Sequence, residues 1–447
     1  MKRAGMLAAL ALLAAGQARG QAAPPKTLSL RDAIRVATQS NVMAVTAAYQ
    51  ADQADARIRQ TRSALLPWIS ASTVESGRTS NTATFGFDFP SQPGQPPVFD
   101  PDGEILGPVN TLDVRARIAE RLFDPGARGR VRTATSAAEA TRAQAGMASE
   151  DAGTLAGFAY LQVQRAAAIL VARQADSALA DSLVRIAVDR LDAGTSVALD
   201  VTRARAQAAG IRAQLIVART ALARERLSLA HVLGLPVETP LSLTDSLTEP
   251  RTSPATLDLD SLIQSAMATR PDVAAAEAAL RATLQSIAAT KAERLPSLEV
   301  YGDYGLLGRN GRTYLGTYLW GVAVTIPIFN GFEREGRIDE DQARLLELQR
   351  RRQDLADRVS LEVRTASLDL AAAFEALSAT RDRLELVTAE ARQAAERFEA
   401  GLDSNADVIT ALLALNSARV THIDALTAYH RSRIALARAR GAVTELP

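Results

Sequence analysis

Arg397-Phe-Glu-Ala-Gly401-Leu-Asp-Ser-Asn-Ala-Asp407-Val408 decides how this chain is read. It interrupts two long segments that otherwise read as unbroken helix, with no proline between Pro327 and Pro447. Upstream, Leu345, Leu348, Leu355, Val359, Ala366, Leu370, Leu377, Leu384, Val387, Ala391, Ala394 and Phe398 recur at helical steps, one apolar face kept over many turns. The pattern stops at Gly401, because glycine takes the left-handed backbone conformation that ends a helix. Ser404 is then the expected N-cap of a second helix, and Asp407, three residues on, closes a capping-box-like pair. The stretch is the tip of a helical hairpin.

The tip occurs twice. Arg190-Leu-Asp-Ala-Gly194-Thr-Ser-Val-Ala-Leu-Asp200-Val201 matches it at a constant offset, pairing Arg190 with Arg397, Gly194 with Gly401, Asp200 with Asp407 and Val201 with Val408. Farther out, Leu30, Ile34 and Pro67 answer to Leu259, Ile263 and Pro296, again at one offset. Such self-similarity reads as two tandem repeats, 21–233 and 257–447, joined by a proline-rich linker over 234–256. Each repeat has a short helix, a longer helix stopped by Leu66-Pro67 or Leu295-Pro296, a pair of strands, and a long helical hairpin with its tip at 193–196 or 400–404. The segments Ala127 to Ala193 and Arg334 to Ala400, about 65 residues each, extend to about 100 Å as helix.

After each of those prolines the period changes to alternation, giving strand pairs over 68–123 and 297–329. Leu298 and Val300 alternate with Glu299, Tyr301 and Asp303. Tyr318, Trp320, Val322, Val324, Ile326 and Ile328 alternate with Leu319, Gly321, Ala323 and Thr325. Leu112, Val114, Ala116 and Ile118 alternate with Asp113, Arg115, Arg117 and Ala119. Segments of about ten residues, with aromatics such as Trp68 and Trp320 near their ends, fit transmembrane strands with a lipid face and a wet face. The same alternation fits a soluble hairpin with one face in water. Phe85 to Pro108, rich in Pro, Gly and Asp, is a long loop whose counterpart, Leu307 to Arg312, is a tight turn; such asymmetry suits an exterior loop.

The N-terminus reads as an export signal over residues 1–20: Lys2 and Arg3, an apolar stretch from Met6 to Ala15, and a small-residue site at Ala18-Arg-Gly20, with Ala22 as second choice. The apolar stretch is shorter than the roughly twenty residues a bilayer needs, and no later run reaches that length. There is no cysteine, so disulfides, thiolate metal sites and acylation at a cysteine are excluded. With 51 basic against 50 acidic residues, nothing invites nucleic acid. No catalytic constellation, metal-ligand spacing or phosphate-cradling loop is present, so neither an enzyme nor a bound cofactor is expected. His231, His422 and His430 stand singly and read as surface helix positions.

Ser63-Ala-Leu-Leu-Pro67, Glu293-Arg-Leu-Pro296, Pro327-Ile-Phe-Asn-Gly331 and the two Ala-Gly…Asp-Val tips, duplicated and in order, resemble the TolC family of outer-membrane efflux proteins. The resemblance spans essentially the mature chain. It implies a mainly α protein with transmembrane β: a homotrimer whose protomers each give four strands to a twelve-stranded barrel and long helices to a periplasmic α-helical barrel. The linker would then lie in an equatorial region. Matched residue by residue, the family's adaptor-docking tips fall on Ala193, Gly194, Thr195, Ala400, Gly401 and Leu402, although both glycines are also accounted for by helix termination. A periplasmic gate ring falls on Asp407, with Asp200 as its repeat counterpart; a charge in the first turn of a helix is the plainer role. Thr410 stands where the family's best-known member has a second acidic ring, and Asp403 where it has a latch arginine, so the expected gate is weaker and the latch in doubt.

The expected function is a passive exit channel in the outer membrane, served by a periplasmic adaptor and an inner-membrane pump, for efflux or secretion. A soluble periplasmic coiled-coil adaptor or scaffold without a pore is the rival. The duplicated alternating segments, for which an adaptor has no use, speak against it.

Overall fold

The computed structural model describes residues 26–85, 102–250, 258–309, 312–400, 402 and 404–446. The expected export signal, most of the long loop after Phe85, the end of the expected linker, Gly401 and Asp403 lie outside the described residues. In order come β1 (Lys26–Leu28), α1 (Leu30–Ser40), α2 (Val42–Arg62), β2 (Trp68–Asn81), β3 (Ile105–Phe123), α3 (Pro125–Asp192) and α4 (Ala198–Val232). There follow β4 (Leu241–Leu243), α5 (Leu259–Thr269), α6 (Pro271–Ala292), β5 (Ser297–Arg309), β6 (Tyr314–Thr325), α7 (Glu333–Glu399) and α8 (Asn405–Ala439). The long helices end within two residues of the expected limits. The described residues fall into two compact units, one within Met1–Gln50, Arg142–Ala275 and Arg352–Pro447, the other within Ala51–Thr141 and Ala276–Arg351.

The second unit holds an antiparallel sheet in the order β2-β3-β5-β6. Its register sorts the side chains cleanly. Ile69, Ile118, Gly302 and Trp320 form one cross-strand row, and Ala71, Ala116, Tyr304 and Tyr318 the next, so one face is apolar. Ser70, Arg117, Asp303 and Leu319 form a row on the other face, beside Ser72, Arg115, Gly305 and Thr317. On that polar face Arg115 binds Asp303, lies 3.3 Å from Asp113 and donates to Thr317 at 3.0 Å. The tryptophans differ: Trp320 has the parity of the apolar face and Trp68 that of the polar face. The second strand pair was expected to reach residue 329, but β6 stops at Thr325. Pro327 has no N–H to donate and restricts Ile326, which together with Ile328 is left outside the ladder.

In the first unit, β1 and β4 pair in parallel, a feature the expected linker did not contain. Tyr160, fully buried, places its hydroxyl between the Leu28 carbonyl at 3.0 Å and the Asp245 carboxylate at 3.1 Å. The linker is thereby fastened to α3. It also covers α8: His422 Nε2 lies 3.1 Å from a Glu249 carboxylate oxygen, and His430 Nε2 is 2.9 Å from the Thr248 carbonyl. Both histidines are half-buried beneath it rather than free on the surface, and burial lowers the His430 pKa below its ordinary value. Asp176, on α3, is buried with Arg173 at 3.1 Å, with Arg419 of α8, and with the Asn416 amide, oriented to donate, at 2.7 Å. Helix α3 is also long enough, and in one stretch apolar enough, to cross a membrane, which corrects the expectation that no later segment would be. Part of its apolar surface, with Ala156, Tyr160 and Val163, is buried against Ala33 of α1, Leu229 of α4 and Leu233 just beyond α4.

Candidate functional site

The tips belong to the first unit, and the local sequence explains each turn. Gly194 has φ of +74°, and it is followed by a complete left-handed termination. The Thr195 N–H reaches the Arg190 carbonyl at 2.9 Å, and the Gly194 N–H the Leu191 carbonyl at 2.9 Å. The second tip repeats the outer bond, Leu402 N–H to Arg397 carbonyl at 2.9 Å. Ala193, Gly194, Thr195 and Ala400 are exposed, and Leu402 is 72 % exposed.

The helix starts differ. Ser404 caps α8 with a full capping box: its backbone N–H donates to the Asp407 carboxylate at 3.3 Å, and its Oγ accepts from the Asp407 N–H at 3.4 Å. At the first tip the N-cap position of α4 is Val197, which has no side-chain bond to give. There Ser196 Oγ donates to Asp200 at 2.7 Å from one position earlier. Asp407 is exposed and Asp200 half-buried, and Thr410 turns its hydroxyl to the Ala406 carbonyl at 2.9 Å.

Folding brings the two tips into one site. Phe398, 2 % exposed, packs with Leu183, Ala187, Val201, Val408, Leu412 and Leu415, so all four hairpin helices share a core at the tips. Arg190 closes it: its guanidinium lies 4.6 Å from the Phe398 ring centre, donates to the Phe398 carbonyl, and donates to the Thr195 carbonyl at 3.2 Å. Asn405, 1 % exposed, donates from Nδ2 to the Asp200 carbonyl at 2.7 Å, joining the first turns of α8 and α4 through one amide. Neither Arg190 nor Asn405 was singled out as a site residue by sequence; the periodicity that buries Phe398 was the one available signal. Among the described residues no cluster of His, Cys, Asp and Glu could hold a metal.

Residues 34–235 and 262–442 match the family model described as outer membrane efflux protein. The chain belongs to that family. Among curated relatives, this outer membrane efflux protein is 28% identical over 316 residues to Protein CyaE of Bordetella pertussis, covering 68% of this chain and 65% of that one. It is 25% identical over 341 residues to the outer membrane efflux protein BepC of Brucella suis, covering 75% and 73%. The match thus spans just under two thirds of CyaE. Among solved structures, the Campylobacter jejuni CmeC outer membrane channel superposes with a TM-score of 0.75 at 18% identity, covering 92% of this chain and 85% of that one. At that identity the likeness concerns the fold.

Proposed function

We propose that this family member is a passive exit channel of the outer membrane, conducting solutes delivered by a periplasmic adaptor and an inner-membrane pump, for efflux or secretion. The observation that carries the reading is the four-stranded sheet, apolar on one face and polar on the other, with β2 and β6 as its edges. Hydrocarbon cannot satisfy an open row of N–H and C=O groups, so such a sheet in a membrane must be completed by other copies. Three copies would close a ring of twelve strands, an even-numbered barrel with closed cyclic symmetry. The run α1-α2-β2-β3-α3-α4, followed by α5-α6-β5-β6-α7-α8, supports a tandem duplication in which each half gives two strands to the barrel and a helical hairpin to the periplasm.

On this reading Ala193, Gly194, Thr195, Ala400, Gly401 and Leu402 are the adaptor-docking surface. The exposure of the described ones and their shared core support it. Asp407, with Asp200 beside it, rings the periplasmic mouth and favours cations there. The energy comes from the pump; this chain supplies the conduit. The rival soluble adaptor is disfavoured by the family membership. In planar bilayers the purified protein is expected to give trimer-sized conductance, and Asp407→Asn to lower cation selectivity at the mouth. Recovery in the soluble periplasm, or absence of conductance, would refute the channel; unchanged selectivity would remove Asp407 from the gate.

A further inference from the structure

The polar face of the sheet carries more cations than it can pair. Register places Arg78, Arg115, Arg117, Arg121 and Arg309 on it, against the carboxylates Asp113, Asp303 and Glu299. All three carboxylates are taken. Asp303 and Asp113 are engaged by Arg115, which also holds Thr317, and Glu299 lies 3.7 Å from Arg121. Arg117 stands directly across from Asp303 in the ladder, yet that carboxylate is turned to Arg115. Among the described residues Arg117 has no ion-pair or hydrogen-bond partner, and it is exposed. Arg78 and Arg309 flank β3 farther along the same face, opposite Val109 and Thr111, and are likewise without partners among the described residues. Like charges gathered on one face repel, and a sheet gains nothing from them; their use is in what they attract.

We propose that this face, centred on Arg117, is an anion-selective station in the channel, which binds solutes bearing carboxylate, sulfonate or phosphate groups. The proposal rests on the exit-channel reading, in which the polar face is the lumen wall. Guanidinium groups present paired donors that match planar or tetrahedral oxyanions. A trimer repeats the unpaired set three times around one aqueous bore, where low-dielectric walls concentrate the field. The sign is opposite to that of Asp407. The chain therefore carries a cation-favouring mouth and an anion-favouring barrel, and an anionic or zwitterionic solute meets its complementary charge inside the barrel.

The test uses the full-length protein in planar bilayers under a KCl gradient. Arg117→Gln is expected to raise the cation-to-anion permeability ratio about threefold, the effect of removing about half a thermal unit of potential, which acts with opposite sign on cation and anion. Tripolyphosphate added from the loop side is expected to reduce the wild-type current and to lose most of that effect on Arg117→Gln. Arg117→Lys should keep the wild-type selectivity. If Arg117→Gln fails to assemble, the Arg78→Gln, Arg309→Gln double variant asks the same question. Channels that conduct normally with neither selectivity nor block altered would overturn the anion station and leave the exit channel standing. Wild-type trimers that do not conduct at all would overturn both.

Discussion

The two tips share a motif and diverge in everything that holds it. Arg190-Leu191 and Arg397-Phe398 occupy equivalent positions, yet Phe398 is 2 % exposed and Leu191 36 %. The phenyl ring is buried in the shared core, and Arg190, from the other tip, lies over it and donates to the Phe398 backbone carbonyl. At the starts of the return helices the second tip has its capping box, while Val197 leaves the first without a side-chain cap. The two similar turns thus divide the work: the second tip supplies anchor and cap, and the first supplies the cation that fastens the pair.

That division can be broken at its strongest point first. Phe398→Ala is expected to lower the local stability of the tips by about 3–5 kcal/mol, and Leu191→Ala by less than about 1 kcal/mol. Hydrogen exchange of amides in 183–188 and 408–415 reads the difference; equal effects would remove the asymmetry. Next, Arg190→Ala, which loses two charged hydrogen bonds and a cation–π contact, should cost about 1–3 kcal/mol and loosen both tips together. Loosening confined to the first tip would sever the link. Smaller still, Ser404→Ala should cost about 1 kcal/mol, and Val197→Ser should return part of that amount to the first tip, read by exchange in the opening turns of α8 and α4.

A control away from the tips concerns acid. Burial opposes the charge on Asp272, but the hydrogen bonds and charge of Arg270 outweigh it and hold the carboxyl below its ordinary 3.8. A depressed carboxyl lends stability that is complete above its unfolded value and is lost as pH falls through the folded one. The gap in melting temperature between wild type and Asp272→Asn should therefore stay constant from about pH 7 to 5 and shrink below about 4. A gap that closes near neutrality would contradict the assignment. Tip exchange should follow neither change.

Much of this was legible in the sequence because the signals are local. Glycine and proline punctuation bounded α3 and α7, and Ser404 with Asp407 announced its own capping box. Alternation found the strands, and it overran at Ile326 and Ile328 because hydrophobicity alone does not register the missing donor of Pro327. What stayed hidden depends on distant segments meeting. The three-residue β1 and β4 have too few residues for a period, and the linker covering His422 and His430 leaves no mark on α8. The Arg190–Phe398 contact joins residues far apart in the chain; each tip read alone gives its turn and not its neighbour. The surplus of arginine on one sheet face appeared only after the register sorted odd positions from even.

The unpaired edges of β2 and β6 carry a genetic consequence. On the trimeric reading, a protomer with a spoiled edge does not merely drop out; it leaves a gap in every ring it joins. With mutant and normal chains made together, intact channels should fall as the cube of the normal fraction rather than in proportion to it. A lesion in either edge strand that spares folding and targeting would then be dominant, while one that prevents the chain from reaching its partners would be recessive.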